Sequence, residues 1–274
     1  MRVKFYGVRG SLPVSGPEFH RYGGNTTCLC ITREKANRIV IIDAGTGIRK
    51  LGKEIVASGL KQGTINISFT HFHWDHIQGF PFFSPAYNKN QRIGIHVMGK
   101  GRKIKNLKEI FSRQMQSEYF PVELDEMGAQ FEFPSLGDRE TFYGAHVFAA
   151  PQHHKHPGGS YGLRIEDESR ILVICTDIEH PDKIDETIVD LARDADLLIH
   201  DGQYTDEEYK KYKGWGHSTW RQAVEVASRA NAKKLVITHH DPDHDDDFLD
   251  SQEKECKKAF ANSLFAKEGL EITV

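Results

Sequence analysis

The stretch "SFTHFHWDHIQGF", residues Ser68–Phe80, decides how this chain is interpreted. Directly after the apolar run "INISF" it places four metal-capable side chains in a short loop: His71, His73, Asp75 and His76. His71 and His73 are two positions apart, so both imidazoles can reach one metal ion from an extended loop. Asp75 and His76 follow where the chain turns, and they can reach a second ion. So dense a set favours a metal site over isolated structural histidines.

Residues of the same kinds end other apolar, strand-like runs, namely Asp43, Asp177, His200, Asp201 and His239. In open α/β sheets, sites form beyond the carboxyl ends of strands, where loops from several strands meet. Asp177 is then placed to bridge two ions, each of which needs a further imidazole. The candidates are His153, His154 and His156 in one segment, and His239, His240 and His244 in another. Imidazoles and carboxylates without thiolates suit zinc, with manganese or iron as competitors.

Strand-length apolar runs alternate with segments of helical periodicity along the whole chain. The helical segments are Ile48–Ser58, Arg102–Gln116, Asp182–Arg193, Ser218–Asn231 and Asp247–Lys267. Ser218 is the expected N-cap of its helix. This mixture predicts a layered α/β fold. With no linker or low-complexity tract, we expect residues 1–274 to form a single domain.

Composition narrows the function classes. The 274 residues carry 36 Lys plus Arg against 39 Asp plus Glu, a formal net charge of -3. This balance makes long nucleic acid an unexpected partner and favours a small molecule. The apolar runs are too short to cross a bilayer, and the N-terminus lacks the apolar core of a signal peptide, so we expect a cytoplasmic protein and no membrane partner. The oligomeric state is left open.

Several motifs carry a family resemblance. "THFHWDH" (Thr70–His76) resembles the HxHxDH signature of the metallo-β-lactamase fold superfamily, and "IIDAG", "HPGGSYG", "CTD" and "ITHH" follow in that superfamily's order. The resemblance implies a four-layered αββα sandwich with two divalent metal ions at one edge. It implies two sets of ligands and a bridge: His71, His73 and His156 for the first ion, Asp75, His76 and His239 for the second, and Asp177 between them. His153 or His154 compete with His156, and His240 competes with His239. Asp43 is implied to support the metal loop without being a ligand.

Two later motifs narrow the branch. "HDGQY" (His200–Tyr204) and "GWGHSTW" (Gly214–Trp220) are similar to elements of the ribonuclease Z-like phosphodiesterases. This similarity implies that Asp201, where that nuclease has Glu, orients His217 as the proton donor to the leaving oxygen. Asp75 would orient the nucleophile, a hydroxide activated by two metals. The segment between His156 and Asp177 is too short for the long arm with which ribonuclease Z clamps tRNA. We therefore expect a small phosphodiester substrate of the cyclic-nucleotide or cyclic-phosphate class.

Two other readings use the same metal ligands. A thioester or lactam hydrolase similar to glyoxalase II has less need of a dedicated acid, because a thiolate is a good leaving group. A non-hydrolytic di-iron redox or sensor protein would resemble the flavodiiron proteins, which place Glu where His73 stands here. The paired "HDGQY" and "GHST" elements favour the phosphodiesterase.

Overall fold

The computed structural model describes residues 1–33, 38–59, 63–97, 107–134, 139–142, 145–152, 156 and 158–274. Strands and helices are mixed along these residues, as the sequence predicts. The strands are β1 (Arg2–Gly7), β2 (Cys28–Arg33), β3 (Arg38–Ile42), β4 (Thr64–Phe69), β5 (Arg92–Val97), β6 (Gln130–Glu132), β7 (Arg139–Phe142), β8 (Ala145–Gln152), β9 (Ser160–Asp167), β10 (Arg170–Cys175), β11 (Leu197–Asp201), β12 (Leu235–Thr238), β13 (Ser263–Phe265) and β14 (Glu271–Thr273). The α-helices are α1 (Ile48–Ala57), α2 (Trp74–Ile77), α3 (Leu107–Gln114), α4 (Glu186–Leu191), α5 (Asp206–Tyr212), α6 (Trp220–Arg229) and α7 (Asp246–Ala259).

The strands form two seven-stranded sheets. The first has the order β14-β1-β2-β3-β4-β5-β6, and the second has the order β13-β12-β11-β10-β9-β8-β7. Strands β3 to β6 run parallel in the first sheet, and β10 to β13 run parallel in the second. Parallel neighbours end at the same side of a sheet, so the loops that follow them meet in one place.

Alternation of apolar side chains along the strands builds the layers. Ile42 faces an inner core shared by both sheets, whereas Ile41 faces an outer core that includes residues of α1 and α3. In the second sheet Leu172 faces the inner core and Val173 packs with residues of α4, α6 and α7. Each sheet therefore carries helices on its outer side and packs on the other sheet inside. The predicted αββα sandwich is confirmed, while the single domain stays a prediction.

Two helix predictions need correction. The N-cap of α6 is Thr219 and not Ser218, because the Thr219 hydroxyl accepts a hydrogen bond from the Gln222 amide at 3.2 Å. The C-terminal helix ends at Ala259, and Ser263–Phe265 join the second sheet beside β12. The predicted helix from Arg102 begins outside the described residues. Among the described helices, none combines the length and apolar character needed to cross a membrane.

Candidate metal centre and active site

Strands of both sheets deliver the predicted site residues to one place. Asp43 follows β3, His71 follows β4, Asp177 follows β10, Asp201 ends β11 and His239 follows β12. Asp43, Asp177 and His239 have φ angles of 62°, 56° and 64°. This left-handed conformation is uncommon for residues other than glycine, and it tends to concentrate at functional sites. The backbone therefore accepts local strain where these strands end.

The first cluster consists of three imidazoles. The Nε2 atom of His156 lies 3.0 Å from Nε2 of His71 and 2.9 Å from Nδ1 of His73. His71 and His73 lie in the loop that follows β4, and His156 lies in the segment that precedes β9. His153 and His154, the competitors of His156, lie outside the described residues.

The second cluster joins residues from both sheets. The Nε2 atom of His239 lies 3.1 Å from Asp75 Oδ2 and 3.4 Å from Nε2 of His76. All three side chains are buried, together with Asp177. His240 takes another direction, because its Nε2 lies 2.9 Å from the carbonyl oxygen of Ala266.

Asp177 lies between the two clusters. Its Oδ2 is 3.1 Å from His76 Nε2, while its Oδ1 is 3.3 Å from His239 Nε2. The same Oδ1 is 3.6 Å from Nε2 of His71 and 3.8 Å from Nε2 of His156. One carboxylate thus reaches ligand atoms of both clusters, which is the position that a bridging ligand requires.

The chemistry of these side chains fits two divalent cations. Ligand atoms around a tetrahedral zinc, with bonds of 2.0–2.1 Å, are separated by about 3.3 Å. The ring nitrogens and carboxylate oxygens in both clusters lie at nearly this spacing. Imidazole nitrogens this close, on buried or partly buried rings, need a shared proton or a shared cation to avoid facing lone pairs. Buried carboxylates likewise need a compensating positive charge.

Hydrogen bonds at the far ring atoms orient three of the imidazoles. Nδ1 of His76 faces Asp43 Oδ2 at 2.9 Å, Nδ1 of His239 faces Gln203 Oε1 at 3.0 Å, and Nδ1 of His156 faces the Gly216 carbonyl at 3.2 Å. Because each partner accepts a hydrogen bond, Nδ1 carries the proton and Nε2 is left free to bind a metal.

In the absence of metal ions, the imidazoles of the two clusters differ in pKa. Burial opposes charge on His239, yet the negative charge of Asp177 raises the pKa of that imidazole to about 9. Burial likewise opposes charge on His76, but Asp177, Asp75 and Asp43 raise its pKa well above the ordinary value. For His71, burial dominates and lowers the pKa. The second cluster therefore holds protons near neutral pH that a metal ion must displace.

Beside the metal clusters lies a histidine–carboxylate pair. His217 Nδ1 is 2.9 Å from Asp201 Oδ2, and Asp201 Oδ1 accepts from the Ser218 amide at 2.9 Å. The His217 ring stacks on His239 with centroids 4.9 Å apart, and its centroid is 5.4 Å from that of His156. Asp201 fixes the tautomer of His217, so that Nε2 can present or receive a proton. The pair is oriented for acid–base work next to both clusters.

Other histidines from the sequence motifs have structural partners. Nδ1 of His200 lies 2.7 Å from the Asp201 carbonyl, and its ring stacks on His180. Nε2 of His244 lies 2.7 Å from Glu208 Oε1. A histidine at a strand end is therefore insufficient by itself to identify a ligand.

The sequence reasoning missed two groups that contact the clusters. The first is Gln203 of "HDGQY", whose side-chain amide also donates to Asp241 Oδ2 at 3.1 Å, which fixes its carbonyl oxygen toward His239. The second is the backbone of the loop after β1, where the Ser11 amide donates to Asp75 Oδ2 at 2.9 Å. The only sequence signal was the proximity of these residues to motifs already recognised.

Comparisons with known proteins agree with this geometry. The family model described as the beta-lactamase superfamily domain matches residues 38–240. A ribonuclease Z from Prochlorococcus marinus (strain NATL2A) is 24% identical, and the alignment covers 100% of this chain and 99% of that protein. The crystal structure of the short form of human tRNase Z superposes with a TM-score of 0.69 at 21% identity, covering 100% of this chain and 99% of that one. The crystal structure of a diphosphatase from the PhnP family superposes with a TM-score of 0.70 at 18% identity, covering 100% of this chain and 97% of that one.

One prediction about partners is wrong. The expectation that long nucleic acid is an unlikely partner, and a small molecule the partner instead, conflicts with relatives named ribonuclease Z that align along the whole chain. The physical reason is that net charge averages over the whole surface, whereas binding depends on the groups around the site.

The comparisons and the site lead to the same conclusion. Ribonuclease relatives align over the full chain, and buried His and Asp clusters that could hold divalent metal ions lie at the strand ends of this fold. The protein is a metal-dependent hydrolase of the phosphodiesterase type. It belongs to the beta-lactamase superfamily, in its ribonuclease Z-like branch.

Proposed function

We propose that this chain hydrolyses phosphodiester bonds at a site that holds two divalent cations, with zinc as the first metal to test. The observation that carries the proposal is the pair of His217 and Asp201 beside the clusters that Asp177 joins. Such an acid is needed most where the leaving group is an alkoxide, which departs poorly without a proton.

The ligands in this proposal are those that the motifs predicted: His71, His73 and His156 for one cation, Asp75, His76 and His239 for the other, and Asp177 for both. When bound, the cations supply Lewis acidity, neutralise phosphoryl charge and lower the pKa of water. Asp75 accepts a hydrogen bond from the Ser11 amide, which holds its carboxylate in one orientation. This fixed carboxylate is suited to orient the attacking water.

His217 has the role of proton donor to the departing oxygen. The Asp201 carboxylate accepts a hydrogen bond from Nδ1 of His217. The same carboxylate also accepts from the Ser218 amide and from the Asp177 amide, the latter at 3.1 Å. These fixed donors keep the carboxylate from rotating, so the imidazole keeps one orientation relative to the clusters. Asp201 is therefore the residue that positions His217.

RNA is the substrate to test first, because relatives named ribonuclease Z align along the whole chain. One structural feature favours small cyclic phosphodiesters as a second candidate. Strands β9 and β10 form a tight antiparallel hairpin, with Asp167 paired to Arg170. No long arm is inserted between these strands. Both substrate classes place the same bond at the same metal site.

The first experiment measures metal content and hydrolysis by the purified, zinc-loaded protein. Bis(p-nitrophenyl) phosphate, a short RNA, a 2′,3′-cyclic nucleotide and S-lactoylglutathione are compared. We expect hydrolysis of phosphodiesters; activity on the thioester alone would overturn the proposal. Iron with an oxygen-dependent visible spectrum and no hydrolysis would point to a redox or sensor protein instead.

The second experiment tests His217 through the leaving group. His217→Ala should lower RNA cleavage by about 10²- to 10⁴-fold, the usual contribution of a positioned acid. It should affect bis(p-nitrophenyl) phosphate much less, because p-nitrophenolate departs without a proton. His20→Ala, at an exposed histidine of another loop, is the matched control. Equal losses on both substrates would contradict the acid role, and loss of metal would make His217 a ligand.

A further inference from the structure

Two exposed indole rings belong to loops that carry residues of the metal site. Trp74 stands between His73 and Asp75 in the chain and is 65% exposed. It begins the four-residue helix α2, whose other residues Asp75, His76 and Ile77 are all buried. The helix therefore turns its remaining side chain outward, beside the ligands that it carries.

The second ring lies in the connection between β11 and β12 of the second sheet. Trp215 is 63% exposed and lies in the loop between α5 and α6, two positions before His217. The next residue, Gly216, provides the carbonyl that holds His156. The two indoles thus belong to loops that carry residues of both sheets to the same centre.

The Trp215 loop is held rigidly although its ring is exposed. The buried carboxylate of Glu179 accepts hydrogen bonds from the amides of Gly214 at 2.6 Å and Gly216 at 3.0 Å, on both sides of the tryptophan. The indole packs edge-on against Tyr212 at 5.2 Å, and Tyr212 stacks on buried Tyr204 at 5.1 Å. A ring fixed in this way loses little conformational entropy when it binds a ligand.

Large apolar side chains exposed together at a surface generally mark a binding site, and both of these indoles lie on loops that also carry residues of the metal site. A nucleobase offers a flat π-face of matching size, and bases stack on exposed aromatic rings with little sequence preference. This interaction does not require a basic surface, so it suits a chain whose formal net charge is -3.

We infer that Trp74 and Trp215 are stacking platforms for the nucleobases that flank the scissile phosphodiester. The inference rests on the proposed phosphodiesterase function, since it assigns subsites to that same centre. Each indole binds one base, and the phosphate between the bases lies at the metal clusters. The platforms therefore select nucleotide substrates over phosphodiesters without bases.

Intrinsic fluorescence can test this directly, because the third tryptophan, Trp220, is buried and bonded to Gln252. The zinc-loaded protein is titrated with a 2′-O-methyl hexanucleotide, which resists cleavage, and with an abasic oligomer that carries the same phosphates. We expect quenching and tight binding for the first oligomer only. Trp74→Ala and Trp215→Ala should each weaken binding by about 5- to 150-fold, whereas phenylalanine at either position should restore most of it.

Val56→Ala serves as the control, because Val56 is exposed near the end of α1 and belongs to neither site loop. Equal affinity for the intact and abasic oligomers would overturn the inference, as would wild-type affinity in both alanine variants. If the alanine variants changed the oligomeric state of the protein but bound the oligonucleotide as the wild type does, the rings would belong to a protein interface. That result would also overturn the inference. Hydrolysis of bis(p-nitrophenyl) phosphate by the wild-type protein is measured separately, so failure of the stacking inference is distinguishable from failure of the proposed function.

Discussion

Asp43 offers a test of how the protein would prepare His76, a proposed metal ligand, without itself contacting the metal. Its carboxylate is fully buried and accepts from the Thr70 amide at 2.8 Å, through Oδ1. Oδ2 faces the Thr70 hydroxyl and Nδ1 of His76, each at 2.9 Å. Because Nδ1 of His76 donates to this oxygen, the proton that a cation displaces is the one on Nε2, whose lone pair then faces the cation.

Asp43→Asn should reverse that arrangement. The Thr70 amide can only donate, so it keeps the carbonyl oxygen of the new side chain at the Oδ1 position. The amide nitrogen then occupies the Oδ2 position and donates to Nδ1 of His76, which moves the imidazole proton to Nε2. We expect the affinity of the second metal ion to fall 10- to 100-fold, which corresponds to about 1.4–2.7 kcal/mol.

The fold should tolerate this substitution. Asparagine has the shape of aspartate and also accepts the left-handed backbone that Asp43 adopts, with φ of 62°. Asp43→Ala is the informative contrast, because it strands the Thr70 amide and the His76 ring donor in the interior. Each stranded donor costs about 1–3 kcal/mol, so the metal-free protein itself should be clearly destabilised.

The assay combines two measurements on each variant. Competition with a chromophoric chelator gives the zinc affinity, and thermal unfolding in EDTA gives the stability of the metal-free protein. The reasoning requires Asp43→Asn to lose affinity while its unfolding temperature stays near that of the wild type. Wild-type zinc affinity in Asp43→Asn would refute the tautomer argument, because the altered partner would then leave Nε2 available.

Three further predictions concern the same centre. Gln203→Met removes the acceptor at Nδ1 of His239 and should weaken the second metal about tenfold or more, measured by chelator competition. Asp177→Ala should lower the zinc content of both sites, because this carboxylate reaches both clusters; loss of one ion alone, by elemental analysis, would show that it does not bridge. Zinc binding should release protons from His76 and His239 at pH 7, because their pKa values in the metal-free protein are raised, to about 9 for His239. Affinity should therefore increase with pH through neutral pH toward about 9, the pKa of His239. Calorimetry in buffers of different ionisation enthalpy measures the release, and heats that do not depend on the buffer would contradict it.

Strongly periodic strands could be predicted from sequence, but short edge elements could not. β3 is an almost continuous apolar run and β4 alternates apolar with polar residues; both are followed by polar site residues, and both form as expected. The helical pattern after Asp247 continues past Ala259, yet Ser263–Phe265 pair with β12 instead. Three residues carry too little periodicity to predict a strand, so pairing with a neighbouring strand decides their conformation.

The local part of the site could be predicted, whereas choices between neighbouring histidines could not be made from spacing. His239 and His240 both follow β12, and a shift of one residue along an extended chain reverses the side on which a side chain lies. Only the structure shows that His239 turns to Asp75 while His240 turns to Ala266. Gln203 was missed for a related reason. Its role depends on a contact with His239 in another loop, and no local sequence pattern predicts such a contact.

The error about nucleic acid has a cause in the site itself. The charge count that disfavoured RNA includes Asp43, Asp75, Asp177 and Asp201, all buried around the metal clusters. Two divalent cations would bring the formal net charge from -3 to +1. In the proposed function, the surface that meets a substrate is set by the metal-loaded centre and by the two exposed indoles, and neither contributes to a count of charged residues. If the chain binds two cations and stacks bases as proposed, it would act on an anionic polymer without needing a basic surface.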